Sequence, residues 1–121
     1  AALLKETEGV EELAEFHAAT KSAVDKLTKS SMYLMQQAMT KDFENIAAVA
    51  SEYLNVFGYS VFAFSWLMQC KHALTRDDAY AKTKFKTARY FFRHVFPKIE
   101  AHANIVSNGK SAIMDFDESE F

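Results

Sequence analysis

The groups in this chain with the chemistry for acid–base, nucleophilic or metal-ligating work are four histidines, one cysteine and 16 carboxylates. Di-metal sites in helical bundles need a Glu three residues before a His on each of two helices, because that spacing aims both ligands at one point. The residues three before His17, His72, His94 and His102 are Ala14, Gln69, Phe91 and Ile99, and no HExxH is present. The histidines therefore read as surface or partly packed side chains. Cys70 has no CxxC companion, and the two-residue step to His72 puts those side chains on different helix faces, so the thiol reads as inert. With no GxGxxG, GxxxxGK[ST] or GxSxG, neither a phosphate cradle nor a nucleophile elbow is supported. No residue is assigned a catalytic, cofactor-binding or metal-ligating role.

Charge is patterned where chemistry is not. Lys82, Lys86, Arg89 and Arg93 form a basic stripe, about 110° from the apolar stripe of the same segment at 100° per residue. Glu8, Glu12 and Glu15 form an acidic one. Two solvated faces are the plainest reading, each worth little. The stripes could instead face each other if their helices are parallel, and a third reading is an anion site for a phosphorylated ligand or an acidic partner surface.

The element around which the rest is organised is Glu52 to Cys70, EYLNVFGYSVFAFSWLMQC. Tyr53, Phe57, Val61 (or Ser60), Phe64 and Met68 (or Leu67) recur every three or four residues, a helical stripe rather than one side of a strand. Leu54, Val56, Tyr59, Phe62 and Trp66 fall off that stripe, so the helix is apolar over most of its circumference and is expected to be the most buried element. Glu52, Asn55, Ser60, Ser65, Gln69 and Lys71 interrupt the run, which argues against a span of about 20 predominantly apolar residues.

At 121 residues, half of them hydrophobic, with three Gly and one Pro, the chain suits one compact domain of long helices with few tight turns. A formal charge of -2 gives no electrostatic reason to expect nucleic acid or an anionic membrane as partner. A single cysteine excludes an internal disulfide and fits a reducing, cytoplasmic compartment. No signal peptide is visible, and a start at Ala1-Ala2 without Met reads as a piece of something longer or a processed terminus.

Read in order, Thr7 is a candidate cap followed by Glu8, Glu11 and Glu12, whose charges suit a helix N-terminus; residues 1–7 read as the end of a linker or of a preceding helix. A first helix over about 8–39 carries the seam Leu13, Phe16, Thr20, Val24 (or Ala23), Leu27, Ser31, Leu34 and Ala38. Thr40-Lys41-Asp42 punctuates the chain before a second helix over about 42–74. Thr75-Arg76-Asp77-Asp78 does so again, with Asp77 or Asp78 capping a third helix over about 77–108 whose stripe is Phe85, Ala88, Phe92, Val95, Ile99, His102, Val106, Gly109 and Ile113. Pro97 costs a helix interior about 3 kcal/mol and is expected to kink or break it; Gly109 can end it. A short segment over about 110–116 and an acidic tail follow, in which Phe116 or Phe121 could tuck back. The fold class is all-α: an up-down-up antiparallel bundle of three helices, each about 45 Å long at 1.5 Å per residue. Seventeen aromatics are more than such a bundle easily buries, so some of Tyr33, Tyr59, Phe62, Trp66, Tyr90 and Phe91 are expected to line a contact surface.

The positions Tyr53, Leu54, Phe57 and Gly58, then Ala81, Lys82, Thr87, Ala88, Arg89, Tyr90 and Phe91, then Pro97, then Met114 and Phe121 carry a resemblance. Over roughly residues 50–121, and in the first helix by pattern alone, the chain resembles the C-terminal helical domain of a bacterial branch of the acyl-CoA dehydrogenases, the acetyl-CoA dehydrogenase C-terminal-like domain. The resemblance implies a role for a parent enzyme. Such enzymes use bound FAD to remove two hydrogens from the Cα–Cβ bond of an acyl-CoA, giving the 2,3-enoyl-CoA, with a carboxylate as base. Flavin, base and acyl pocket belong to the preceding catalytic domains, so no cofactor is expected in residues 1–121. It further implies that the appended bundle packs on the catalytic body and shapes a homo-oligomeric assembly, with Gly58 permitting close approach of a neighbouring helix and Tyr90-Phe91 forming a docking face. Lys84 and Lys86 depart from the pattern and leave the docking partner or its charge open.

A free-standing helical interaction module and a small-ligand-binding bundle are the alternatives. The dehydrogenase reading expects the gene's reading frame to continue upstream for several hundred residues, whereas a start codon immediately before Ala1 supports the free-standing module.

Overall fold

Two aspartates set the helix starts. Asp42 Oδ1 accepts the Asn45 N–H at 3.2 Å and Asp78 Oδ1 accepts that of Ala81 at 3.0 Å, each satisfying one of the first-turn donors that a helix leaves unpaired. The computed structural model describes residues 2–110, 112 and 115–120. They form α1 (Ala2–Thr7), α2 (Ala14–Met39), α3 (Phe43–Ala73), α4 (Ala79–Tyr90) and α5 (Lys98–Asn108), with a 3₁₀ turn at Glu11–Leu13, a π turn at Phe91–Val95 and a 3₁₀ turn at Glu118–Glu120. No strand occurs among the described residues, and the class is an all-α helical bundle.

Cross-helix contacts give the directions. Ser31 Oγ and the Tyr53 hydroxyl share a hydrogen bond of 2.7 Å, Ser60 Oγ lies 3.5 Å from Ala23 O, and Thr20 Oγ1 lies 3.5 Å from Ala63 O. Numbers fall on one helix as they rise on the other, so α2 and α3 are antiparallel. Along α3 and α5 the same inversion appears, Glu52 meeting His102 and Asn45 meeting Lys110. Against α2, the α4–α5 arm runs parallel: Phe16 stacks on Phe92 at 4.9 Å, and Tyr33 lies beside Gly109.

The core joins Leu13, Phe16 and Ala23 of the first arm to Val56, Ala63, Leu67 and Cys70 of α3 and to Ala88, Phe91, Phe92, Phe96 and Ile99. In α2 the expected seam is observed through Leu13, Phe16, Thr20 and Ala23, with Ser30 buried further along and Ala38 exposed. In α3 the phase differs from expectation. Asn45, Val49, Val56, Ser60, Ala63, Leu67, Cys70 and Ala73 are the buried residues, while Phe57, Val61 and Met68 are 49%, 50% and 49% exposed. Choosing the stripe by side-chain size turns it by about one residue, or 100°. The small Thr20 and Ala23 of α2 meet the small Ser60 and Ala63 of α3, so it is α3's small face that is enclosed. α3 is accordingly not an enclosed element: Leu54, Phe57, Val61, Phe62 and Met68 all face outward. By length and composition it is the helix, among the described residues, long and apolar enough to cross a membrane.

The first long helix also begins later than expected. Thr7 is no cap: it ends α1, is buried, donates from Oγ1 to Leu3 O at 2.9 Å and lies 2.9 Å from His17 Nδ1. Gly9, at φ 78°, turns the chain in the left-handed region that glycine tolerates, and α2 starts only after the 3₁₀ turn.

The span expected as one third helix is three segments. Phe96 N–H donates to Phe91 O at 2.8 Å, a five-residue step that widens the turn. Pro97, which has no N–H to give a preceding carbonyl, follows immediately and precedes α5. The extra residue brings Phe91, Phe92, Phe96 and Ile99 to the core together. Phe116 is exposed; Ser111, Ile113 and Met114, on which the expected 110–116 segment rests, and Phe121 lie outside the described residues.

At the far end a polar clamp ties three elements. Asn45, 6% exposed, donates from Nδ2 to the Tyr33 hydroxyl at 2.8 Å and accepts the Lys110 N–H at 2.8 Å, while Lys110 Nζ donates to Asp42 Oδ1 at 2.9 Å. Gly109 ends α5 at φ 65°, and a Cβ there would lie 2.5 Å from the Tyr33 hydroxyl and 2.8 Å from Asn45 Oδ1. Gly109→Ala therefore combines backbone strain with a broken buried hydrogen-bond network, and a loss of about 2–4 kcal/mol is expected in thermal or urea melts. The hydrogen bond from Lys110 holds the Asp42 carboxyl below its ordinary value of 3.8. A depressed carboxylate stabilises the fold above its unfolded value and loses that contribution as pH falls through its folded one. The stability gap between wild type and Asp42→Asn should thus be full at neutral pH and shrink as melts are taken below about pH 4.

Candidate functional site

The histidines are placed by packing. His17 meets Thr7 across the α1–α2 turn. His102 lies between α5 and α3, hydrogen-bonded through Nδ1 to Glu52 and stacked on Tyr59 at 5.7 Å and 21°. His94 stacks on Tyr90 at 5.1 Å, and His72 is exposed. Among the described residues no three of His, Cys, Asp and Glu gather where they could hold a metal ion. Cys70 is fully buried, and burial pushes its thiol up to about 11, with Lys84 and Arg89 pulling more weakly the other way. At neutral pH it is a protonated core side chain, not a nucleophile.

Of the two charged stripes, one pair meets. Arg93 grips Glu15 with two hydrogen bonds, Nε to Oε1 at 2.8 Å and Nη2 to Oε2 at 3.0 Å. This holds the Glu15 carboxyl below its ordinary value, with a smaller contribution from Arg89. Both partners are about half exposed, so the pair positions the arms more than it stabilises them. Lys82 and Lys86 point to solvent. Lys84 departs from that face: its ammonium donates to Gln69 Oε1 at 2.9 Å and sits over Trp66 at 5.5 Å and Tyr80 at 5.3 Å.

An open apolar groove of about 490 Å³ lies between α3 and the π turn, lined by Leu54, Gly58, Tyr59, Phe62, Trp66 and Phe91. Of the aromatics expected at a contact surface, Phe62 and Tyr90 are 57% and 62% exposed; Tyr33, Tyr59 and Trp66 are half-buried. Phe91 is the exception. Three residues beyond buried Ala88 and so on the same face of the helix, its ring meets Phe92 edge-on at 5.1 Å and Phe96 at 6.0 Å, so the expected Tyr90-Phe91 docking face keeps only Tyr90. Size-based reasoning missed Leu54, Phe57, Val61 and Met68 as surface. The signal lay in the charges. Between Glu44 and Lys71 the sequence has a single charged residue, Glu52, and it turns inward to His102. An outer helix face without one charge needs another kind of cover.

FAD asks for a phosphate cradle and a slot that closes on the flavin ring. The described residues fit neither need: the groove is open, and Gly9, Gly58 and Gly109 stand at three separate places in the fold. No residue here is assigned to hold it.

What these features define is a helical bundle in which His17, His102 and Cys70 are committed to packing and the apolar outer face of α3 is uncovered. The family model described as "Acetyl-CoA dehydrogenase C-terminal like" matches residues 1–117. The chain belongs to that family. The match takes in α1 and α2, which the sequence motifs reached by pattern alone. Among curated proteins no match is found.

A thiol-specific reagent at pH 8 should label Cys70 in the native chain at least about a hundredfold more slowly than in urea, since both the thiolate fraction and access are suppressed. Labelling at the unfolded rate would show that the α3 seam is open.

Proposed function

We propose that this chain is the noncatalytic C-terminal domain of an FAD-dependent, cytoplasmic acyl-CoA dehydrogenase that oxidises an acyl-CoA to the 2,3-enoyl-CoA. In that parent the flavin accepts the two hydrogens leaving the Cα–Cβ bond. Residues 1–121 pack on the preceding catalytic domains and support assembly of the homo-oligomer. The observation that carries this reading is the family match over 1–117. The outer face of α3 supports it, since Leu54, Phe57, Val61, Phe62 and Met68 are too many large side chains for an isolated domain to leave in water without reason.

The parent chain should purify with a flavin absorbance near 450 nm and reduce an artificial electron acceptor when given an acyl-CoA. Removing residues 1–121 should lower its Tm or its oligomeric state. A parent without flavin or dehydrogenase activity would refute the assignment. A rise in Tm of residues 1–121 on adding FAD or an acyl-CoA, which only binding to the folded state produces, would refute the noncatalytic role.

A further inference from the structure

The outer face of α3 has a symmetry of its own. The helix runs from Phe43 to Ala73, and Gly58 is its middle residue, with fifteen residues on either side. On a helical wheel Gly58 lies about 165° from the mean of the buried seam, the outermost line of the helix. A Cβ built at Gly58 would meet nothing within 4 Å, so no packing inside this chain explains a glycine in mid-helix, where it lowers helix stability. Large side chains flank it on both sides, Leu54 four residues before and Phe62 four after, 67% and 57% exposed.

From this, resting on the assembly role proposed above, we infer that α3 is a self-association surface: the α3 helices of two copies of this chain pack antiparallel about a two-fold axis at Gly58. Such an axis pairs residues equidistant from position 58. Leu54 of one copy then meets Phe62 of the other, twice, and the two glycines let the backbones approach where the axis crosses. Ser51 faces Ser65, small against small. At the ends, Glu44 faces His72 of the other copy, a carboxylate against an imidazole. A parallel pair would set Glu44 against Glu44.

The size is adequate. Leu54, Phe57, Val61, Phe62 and Met68 are each about half exposed, and at roughly 100 Å² apiece they supply on the order of 500 Å² of apolar core per copy. A stable interface takes about 800 Å² from each partner, rim included. A lipid bilayer or an unrelated protein surface would require neither a glycine at the midpoint nor a carboxylate and an imidazole placed equidistant from it.

The test is disulfide mapping in the 121-residue chain and in the parent. Cys70 is buried and does not compete. Across helix axes about 8–10 Å apart, Cα atoms facing each other at the two-fold axis come within the reach of a disulfide, about 4.4–6.8 Å. Gly58→Cys should therefore yield a covalent dimer under mild oxidation. Leu54→Cys alone should not, but mixed with Phe62→Cys it should give the heterodimer. Gly58→Leu, for which the fold has room, should stay folded with an unchanged or higher Tm while its dimer dissociation constant in sedimentation rises about tenfold or more.

Gly58→Cys that stays monomeric, Leu54→Cys that crosslinks with itself as readily, or a folded Gly58→Leu with unweakened association would each overturn the pairing. Flotation of the monomeric wild-type chain with phosphatidylcholine vesicles would overturn it in favour of a membrane face. Loss of the crosslink in a parent that keeps flavin and activity removes the pairing alone and leaves the dehydrogenase assignment standing.

Discussion

The structure depends on the close contact of α2 with α3. Thr20 and Ala23 on one helix face Ser60 and Ala63 on the other, all four at or near complete burial. Hydroxyls are admitted to this seam because each is satisfied within its own helix: Thr20 Oγ1 donates to Phe16 O at 2.8 Å and Ser60 Oγ to Val56 O at 2.8 Å. Buried polar groups cost free energy only when left unpaired, so small hydroxyl residues permit a short interhelical distance at little penalty. Two consequences follow from one seam. The bulky side chains of α3 are turned outward, and the space on the third side is left for aromatics from the α4–α5 arm.

That arm fills the space by departing from α-helical geometry. A regular helix could not present Phe91, Phe92 and Phe96 to one core together, but the π turn before Pro97 does, and the rings pack on one another and on Phe16. Polar pairs then fix the elements at their ends. Arg93 and Glu15 join the arm to α2, Lys71 and Glu6 join α3 to α1, and the Asn45 network closes the opposite end. His17 and His102 serve the same purpose. These groups thus hold register between the elements of the bundle.

What remains for function is surface. The chain belongs to the acetyl-CoA dehydrogenase C-terminal-like family, and its most distinctive surface is α3. An uncharged outer face on the longest helix calls for a partner, and its composition favours one that packs closely and without charge across the middle. Of the basic side chains of α4, Lys84 covers the Trp66 end of this face, while Lys82 and Lys86 point to solvent.

How much was legible beforehand differs by element. Helical class, the capping cluster Thr40-Lys41-Asp42, a cap at Asp77 or Asp78, the seam Leu13, Phe16 and Thr20 and the inert thiol of Cys70 could be read from the residues, because spacing, caps and missing motif partners are local properties that neighbours seldom override. The family could be read from the YL..FG, TARYFF and proline positions. The phase of α3 could not. Its helix is apolar nearly all round, so hydrophobicity alone leaves every face eligible, and only the small residues offered by α2 select which one is enclosed. Nor could the π turn, since one extra residue in a single turn rotates everything after it and sets Phe96 above Phe91. Local pattern thus determined that the chain is helical and where α3 and α4 begin; only packing in three dimensions decided which sides of the helices meet, because that choice depends on the shape of a neighbour distant in the chain.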